Sequence, residues 1–250
     1  MTDAFPPLGF FIRLITYYIM YKVIFFDLDD TLWDFQANAK VAMNSLFLSS
    51  SLQNLFPSFE SFYSKYQEVN HELWRLYSLG EVTKEKLMID RFLIPLTDAG
   101  KNDPLLAKSL GDEYLNILSQ QKILVDNCID ILELLKPKYK LAIVSNGFKE
   151  VQYNKLTRSG ILHYFEKIIL SDEIGYNKPN PQFFFEALKQ MNVAPNDAVV
   201  VGDNYETDII GAKNSNIDAI FFNRHPEEDV FYPKATHIIA DLSQLKPLFL

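Results

Sequence analysis

The 250-residue sequence is short of several residue types, and each shortage excludes a class of protein. Its only cysteine is Cys128, so no internal disulfide can form, which fits a reducing, cytoplasmic compartment. The histidines are far apart and lack the spacing of a zinc site: His71, His163, His225 and His237. Lysine and arginine number 24 against 32 acidic residues, and the net charge of −8 argues against a nucleic-acid polymer as partner.

The chain also lacks an apolar run that could cross a membrane. Residues 10–21 are largely apolar but contain Arg13, and even joined to the following strand they fall short of the roughly 20 apolar residues of a membrane span. The segment has neither a basic start nor a small-residue cleavage site, so it is a poor signal peptide. We therefore interpret residues 1–19 as an N-terminal extension outside the functional domain, with a peripheral apolar tail as the alternative, and expect no membrane partner.

Short apolar runs alternate with helical patterns in the carboxyl half of the chain. The predicted strands are 21–26, 140–145, 167–171, 198–202, 219–222 and 237–239. Helical patterns between them cover 149–158, 181–191 and 209–214. Strands separated by helices of about 10–15 residues predict parallel βαβ units, and hence an α/β fold with a parallel sheet of about six strands.

Residues 34–125 have a different character. From Phe59 to Tyr77, aromatic and aliphatic residues recur every three or four positions, which is the helical period, and no convincing strand appears in the block. Thr83 and Asp103 are predicted N-caps of two further helices. We therefore predict an all-helical unit at 34–125, inserted after the first strand of the sheet.

Polar motifs follow several of the predicted strands or lie in loops. They are Asp27-x-Asp29-x-Thr31, Ser145-Asn146-Gly147, Lys178, and the pair Asp203 and Asp208 in Gly202-Asp203-x₄-Asp208. Carboxylates directly after a buried strand are not a core feature, because buried charge is costly unless it is paired or bound to metal. Ligands collect at the carboxyl ends of strands in open α/β sheets, so these motifs predict a nucleophile, an acid/base, phosphate anchors and metal ligands in one pocket.

The order of these motifs resembles that of the haloacid dehalogenase superfamily. Any single motif is weak, but all four in order, over residues 21–250, are a strong signal, and the helical block resembles that superfamily's C1-type cap. The resemblance implies a Rossmann-like core domain, formed by 20–33 and 126–250, with an inserted all-helical cap domain at 34–125. It also implies a Mg²⁺-dependent enzyme acting on a small phosphorylated metabolite.

The resemblance also assigns roles to the motif residues. Asp27 would be the nucleophile that forms an aspartyl-phosphate, and Asp29 the acid and base. The Mg²⁺ ligands would be Asp27, the backbone carbonyl of Asp29, Asp203 and, directly or through water, Asp208. The phosphate-binding set would be Thr31, which also orders its loop, with Ser145, the amides of Asn146 and Gly147, and Lys178.

Asp29 distinguishes among reactions within the superfamily. The 2-haloacid dehalogenases resemble this chain but lack the second aspartate, because carbon–halogen cleavage needs no protonation of an ester oxygen. An acid at Asp29 therefore points to an oxygen leaving group, and hence to a phosphatase or a phosphotransferase. A phosphomutase is the less favoured reading, because it must shield its phosphoenzyme from water.

The cap carries the substrate prediction. Residues 70–80 and 83–92 resemble caps of pyrimidine 5′-nucleotidases in this superfamily, which implies a nucleoside 5′-monophosphate, with pyrimidine preferred. Trp74 could stack on a base, and Arg75 or Arg91 could contact its polar edges; alternatively Trp74 packs the core of the cap itself. The other open readings are a phosphatase for sugar phosphates or phosphoglycolate-type metabolites and a catalytically idle ligand-binding or regulatory protein.

Overall fold

The computed structural model describes residues 21–224 and 230–250. The N-terminal extension predicted at 1–19 lies outside these residues, as does His225. Within the described ranges, none of the helices combines the length and the apolar character that a membrane crossing requires.

A six-stranded parallel sheet forms the core, as the sequence predicts. In chain order its strands are β1 Val23–Phe26, β2 Lys140–Ser145, β3 Lys167–Leu170, β4 Ala198–Gly202, β5 Asp218–Phe222 and β6 His237–Ile239. The spatial order is β3-β2-β1-β4-β5-β6. Strand β1 is buried along its whole length between β2 and β4. Phe26 pairs with Ile143 on one side and Val201 on the other, so the ends of all three strands meet at one edge.

Between β1 and β2 the described chain has five α-helices; the last, Cys128–Leu135, lies just before β2, and the first four form a helical unit. These four are α1 Phe35–Ser49, α2 Phe59–Ser78, α3 Lys84–Asp98 and α4 Pro104–Leu118. The predicted N-caps form, since Thr83 accepts a hydrogen bond from the Lys86 amide and Asp103 accepts one from the Leu106 amide. An aromatic cluster joins α2, α3 and α4, with Tyr66 5.0 Å from Phe92 and 5.7 Å from Tyr114 between ring centroids.

The chain enters and leaves this helical unit along two adjacent segments. The Asp34 amide donates to the Ile123 carbonyl at 3.1 Å, and the Val125 amide donates to the Leu32 carbonyl at 2.9 Å. Trp33 also forms an antiparallel bridge with Leu124. The two connections between the helical unit and the sheet are therefore hydrogen-bonded to each other.

The remaining helices cover the two faces of the sheet. They are α5 Cys128–Leu135, α6 Lys149–Arg158, α7 Ser171–Ile174, α8 Pro181–Met191, α9 Gly211–Asn214 and α10 Lys246–Phe249. The predicted bounds of α6 and α8 are confirmed, and Asn180 caps α8 by accepting from the Gln182 amide at 2.9 Å. With helices on both faces, the strands can be apolar throughout.

Several predicted bounds are shifted, and β5 begins at Asp218 rather than at residue 219. Strand β1 begins at Val23 rather than at residue 21, and β3 ends at Leu170 because Ser171 already begins α7. The helix predicted at 209–214 is shortened to Gly211–Asn214 and follows a π-helical turn at Tyr205–Ile210, in which the Asn204 side chain accepts from the Thr207 amide. A π-turn widens the backbone locally and is frequent at functional sites.

Candidate active site

An acidic cluster lies where β1 and β4 end. Asp27 directly follows β1, Asp203 directly follows β4, and Asp208 comes from the π-helical turn. One carboxylate oxygen of each lies within 4.8 Å of the others. Gly202 makes room for this arrangement, because a Cβ there would lie 2.3 Å from Asp208 Oδ2. The folded chain therefore brings together three of the predicted metal ligands.

Lys178 connects two of these carboxylates. Its Nζ donates to Asp27 Oδ1 and to Asp208 Oδ1, both at 2.6 Å, and to the Val144 carbonyl at 2.9 Å. The Asn146 side chain holds the lysine backbone, donating to the Lys178 carbonyl at 2.9 Å and accepting from its amide at 2.8 Å. The phosphate contact expected of the Asn146 amide stays a prediction, whereas its side chain positions Lys178.

Burial and mutual repulsion dominate the electrostatics of the cluster. Desolvation raises the pKa of Asp27 to about 8, against the opposing effect of Lys178, and Asp208 and Asp29 add to the rise. Desolvation also raises the pKa of Asp203, helped by Asp27 and Asp208. Burial by itself lowers the pKa of Lys178, but attraction to Asp208 and Asp27 outweighs it and the net shift is upward.

The cluster fits a divalent cation. Three carboxylates lie around one ammonium group, so negative charge is in excess, and repulsion adds to desolvation in raising the pKa of Asp27 and of Asp203. Carboxylate oxygens are hard ligands of the kind that Mg²⁺ prefers, and Mg²⁺ completes its octahedron with water. Asp27, Asp203 and Asp208 could therefore hold Mg²⁺.

Thr31 is tied to the acidic cluster. It is fully buried, and its hydroxyl donates to Asp203 Oδ1 at 2.8 Å. The hydroxyl thus orients an acidic side chain across the site from the loop after β1. Its expected contact with phosphate stays a prediction.

Two residues of α6 that the motif analysis did not single out hold Asp29. Lys155 Nζ donates to Asp29 Oδ1 at 2.6 Å, and Gln152 Nε2 donates to Asp29 Oδ2 at 2.8 Å. Both donors are buried, and Lys155 Nζ also lies 4.5 Å from the centroid of the Trp33 ring. The only sequence signal was their spacing of three residues, which places them on one face of the helix that follows β2.

The second predicted motif is linked to the same helix. Gln152 Nε2 donates to Ser145 Oγ at 2.7 Å, and the Gly147 amide donates to that oxygen at 3.1 Å. A Cβ at residue 147 would lie 2.3 Å from Gln152 Nε2, so glycine is required for this close approach. Ser145, Gly147 and Asp29 therefore share one hydrogen-bonded network.

A small cavity of about 40 Å³ lies between the helical unit and the core. The core side contributes Asp29, Gly147, Phe148, Val151, Gln152 and Lys155. The helical side contributes Phe35, Tyr66, Asn70, Trp74, Arg91, Tyr114, Leu115 and Leu118. Asp29, the predicted acid/base, therefore lines the same cavity as these residues of the helical unit. A leaving group bound in this cavity would lie between them.

The three predicted cap residues lie in different places. Trp74 lines the cavity and packs across the boundary, 5.3 Å from the Phe148 ring, and Arg91 lines the cavity as a buried side chain. Arg75 lies outside the cavity, half exposed and paired with Glu72 through two 2.8 Å hydrogen bonds. The structure therefore corrects the expectation for Arg75, since successive helical residues are rotated by roughly 100° and Arg75 points away when Trp74 faces the core.

The sequence matches a known family over most of its length, at residues 21–216, described as haloacid dehalogenase-like hydrolase. A glyceraldehyde 3-phosphate phosphatase of Methanothermobacter thermautotrophicus is 34% identical over 92% of this chain and 100% of its own. Pyrimidine 5′-nucleotidase YjjG of Escherichia coli is 28% identical over 90% of this chain and 96% of its own. HAD-hydrolase YfnB of Bacillus subtilis is 29% identical over 90% of this chain and 94% of its own. Its magnesium-bound crystal structure has a TM-score of 0.83 at 27% identity and covers 92% of this chain and 99% of that one.

Proposed function

The chain belongs to the haloacid dehalogenase-like hydrolases, and we propose that it is a Mg²⁺-dependent phosphatase that hydrolyses a small phosphate monoester through an aspartyl-phosphate. The observation that carries the proposal is the convergence of Asp27, Asp203, Asp208 and Lys178 at one edge of the sheet. A phosphate dianion repels an attacking carboxylate, so the site must offset charge before Asp27 can react. The preferred substrate class is a nucleoside 5′-monophosphate, with pyrimidine first.

Each residue has a defined part in the proposed reaction. The Asp27 carboxylate attacks phosphorus, forming a new P–O bond while the bond to the leaving oxygen breaks. Asp29 gives its proton to that oxygen and then takes one from the water that hydrolyses the aspartyl-phosphate. Lys178 and the donors around Ser145 stabilise the charge on the transferring phosphoryl oxygens. Mg²⁺ held by Asp27, Asp203 and Asp208 would supply the remaining positive charge.

Lys155 and Gln152 are positioning residues in this scheme. They bind one oxygen each of the Asp29 carboxylate, so the side chain faces the cavity in a single orientation. Fixing an acid within hydrogen-bond reach of the leaving oxygen is a large part of its catalytic value.

The substrate class rests on the surface that the helical unit presents. The Trp74 and Phe148 rings at the cavity could stack on a base, which favours a nucleotide. The small volume of the cavity favours instead a short leaving group, such as that of a triose phosphate, so a sugar-phosphate phosphatase is the second candidate. A nucleotide would require the helical unit to move away from the core before binding.

A phosphate-release screen tests the proposed function. Phosphate should be released from phenyl phosphate and from a panel of nucleotides and sugar phosphates when Mg²⁺ is present, and release should stop with excess chelator. A sharp preference for pyrimidine monophosphates would support the leading substrate, and one for glyceraldehyde 3-phosphate the second. Absence of Mg²⁺-dependent release from every compound would favour a ligand-binding or regulatory protein.

The proton-transfer role of Asp29 gives a separate prediction. Asp29→Asn keeps the size of the side chain and one acceptor oxygen for Lys155 or Gln152 but cannot donate a carboxyl proton, so hydrolysis of alkyl phosphates should fall by about 10²- to 10⁴-fold. Hydrolysis of p-nitrophenyl phosphate, whose leaving group needs no proton, should fall much less. Asp30→Asn is the matched control, because Asp30 accepts hydrogen bonds from Gln36 and pairs with Arg224 at 3.8 Å, outside the network that holds Asp29. An equal loss for both substrates would contradict the acid role.

A further inference from the structure

Arg91 is a buried cation without a carboxylate partner in the described part of the chain. Its side chain, on α3, is 2% exposed, and none of the ion pairs among the described residues includes it. Nη2 reaches the Gly111 carbonyl only at 3.4 Å, and Nε has no hydrogen-bond partner. The guanidinium otherwise lies near the Tyr66 hydroxyl and over aromatic faces, 5.3 Å from the Tyr114 centroid and 5.6 Å from that of Phe92.

A second unsatisfied donor lies beside it. The Tyr114 hydroxyl is buried and also lacks a hydrogen-bond partner, and both residues line the cavity from the helical side. Asp29 lines the same cavity from the core. A leaving group bound against Asp29 would therefore extend towards two buried donors.

An unpaired buried charge is costly, and stability does not explain why it would be kept. Unsatisfied buried groups in native proteins call for another explanation, and a bound ligand supplies one here. The phosphate itself already has partners in the core, namely Lys178 and the donors around Ser145. What Arg91 lacks is an electron-rich oxygen.

We propose that Arg91 is a specificity-determining residue that binds a carboxylate or carbonyl oxygen on the leaving group, with the Tyr114 hydroxyl as second donor. The inference rests on the proposed function and narrows it to substrates that carry such an oxygen beyond the phosphoester. A leaving group with hydroxyls alone would leave the guanidinium poorly satisfied, and sites built to bind an oxygen reject analogues that lack it.

The test compares leaving groups that differ in this oxygen. The substrates are 3-phosphoglycerate, glyceraldehyde 3-phosphate and uridine monophosphate, which offer a carboxylate, an aldehyde and ring carbonyls, with glycerol 3-phosphate and phenyl phosphate as references. Arg91→Met should lower kcat/KM by about 10- to 100-fold for at least one of the first three, mainly through KM, because a hydrogen bond to a charged group is lost. The references should change by less than about 2-fold, since they offer no such partner. The substrate with the largest loss identifies the bound oxygen.

Thermal unfolding separates this role from a structural one. Arg91→Met removes an unpaired buried charge and fills its space, so the melting temperature should stay the same or rise. Arg75→Met is the matched control, because Arg75 is an exposed arginine on α2. Its substitution should change neither kcat/KM nor the melting temperature. Arg91→Lys, which keeps the charge, should retain part of the preference in kcat/KM for the substrate that carries the bound oxygen.

Tyr114→Phe provides a second variant that removes a single oxygen. It should lower kcat/KM for the selected substrate, divided by kcat/KM for phenyl phosphate, by several-fold. We call this quotient the substrate ratio. The variant also keeps the proposal testable if Arg91→Met does not fold. A lower melting temperature with an unchanged ratio, or an equal loss on phenyl phosphate, would overturn the inference. If the wild-type protein released no phosphate from any compound, the proposed function itself would be wrong, which is a distinguishable result.

Discussion

Asp27→Asn is expected to lower phosphate release by about 10⁴- to 10⁶-fold while the fold remains intact. The amide cannot attack phosphorus, so no aspartyl-phosphate forms. The fold tolerates the change because Lys178 keeps Asp208 at 2.6 Å as a partner, so no buried ammonium is left unpaired. The substitution also relieves the repulsion that raises the pKa of Asp203.

The measurement combines initial rates of phosphate release with thermal unfolding and circular dichroism. Asp197→Asn is the matched control, since it is the same chemical change at a partly exposed carboxylate that pairs only with Lys22 at 2.9 Å. It should leave both rate and melting temperature near the wild-type values. Hydrolysis by Asp27→Asn at the wild-type rate would show that another group is the nucleophile.

Lys178→Met is expected to damage stability as well as catalysis. The substitution leaves Asp27, Asp203 and Asp208 close together with no cation among them. Removing one partner of a buried ion pair costs about 3–5 kcal/mol of unfolding free energy, and phosphate release should fall by at least about 10³-fold. Mg²⁺ should restore part of the stability, because a cation that binds only the folded state stabilises it.

Urea unfolding with excess chelator measures the loss of stability, and urea unfolding with Mg²⁺ measures how much of it the cation restores. Lys149→Met is the control, because Lys149 forms an exposed pair with Glu173 at 2.6 Å, and such pairs contribute little to the free energy of unfolding. If Lys178→Met were as stable as the control in chelator, the buried lysine would not be what balances the acidic cluster.

The local elements were predictable because their signals are local. The bounds of α6 and α8 follow from helical periodicity, with Asn180 and Pro181 at the start of α8. The π-helical turn before α9 was not predictable, because it depends on a contact across the site: Asp208 turns back to the Asn204 amide and to Lys178.

The cap residues show the limit of reading side chains from sequence. Arg75 and Arg91 look equivalent in the sequence, yet one forms an exposed pair with Glu72 and the other is buried at the cavity. Lys155 and Gln152 lie inside a helix without a motif of their own, so nothing local connected them with Asp29 across more than 120 residues.

The sequence by itself determined the family, the parallel α/β core and the residue types of the site, because strand and helix periods and the residues at strand ends are local properties. Only the tertiary structure decided which residues meet: β1 between β2 and β4 brings Asp27 close to Asp203, and the close packing of α2 to α4 selects Arg91 over Arg75. The reason is physical, since contacts between distant segments depend on how whole elements pack and on the rotation of each helix about its axis, and no short stretch of sequence encodes either.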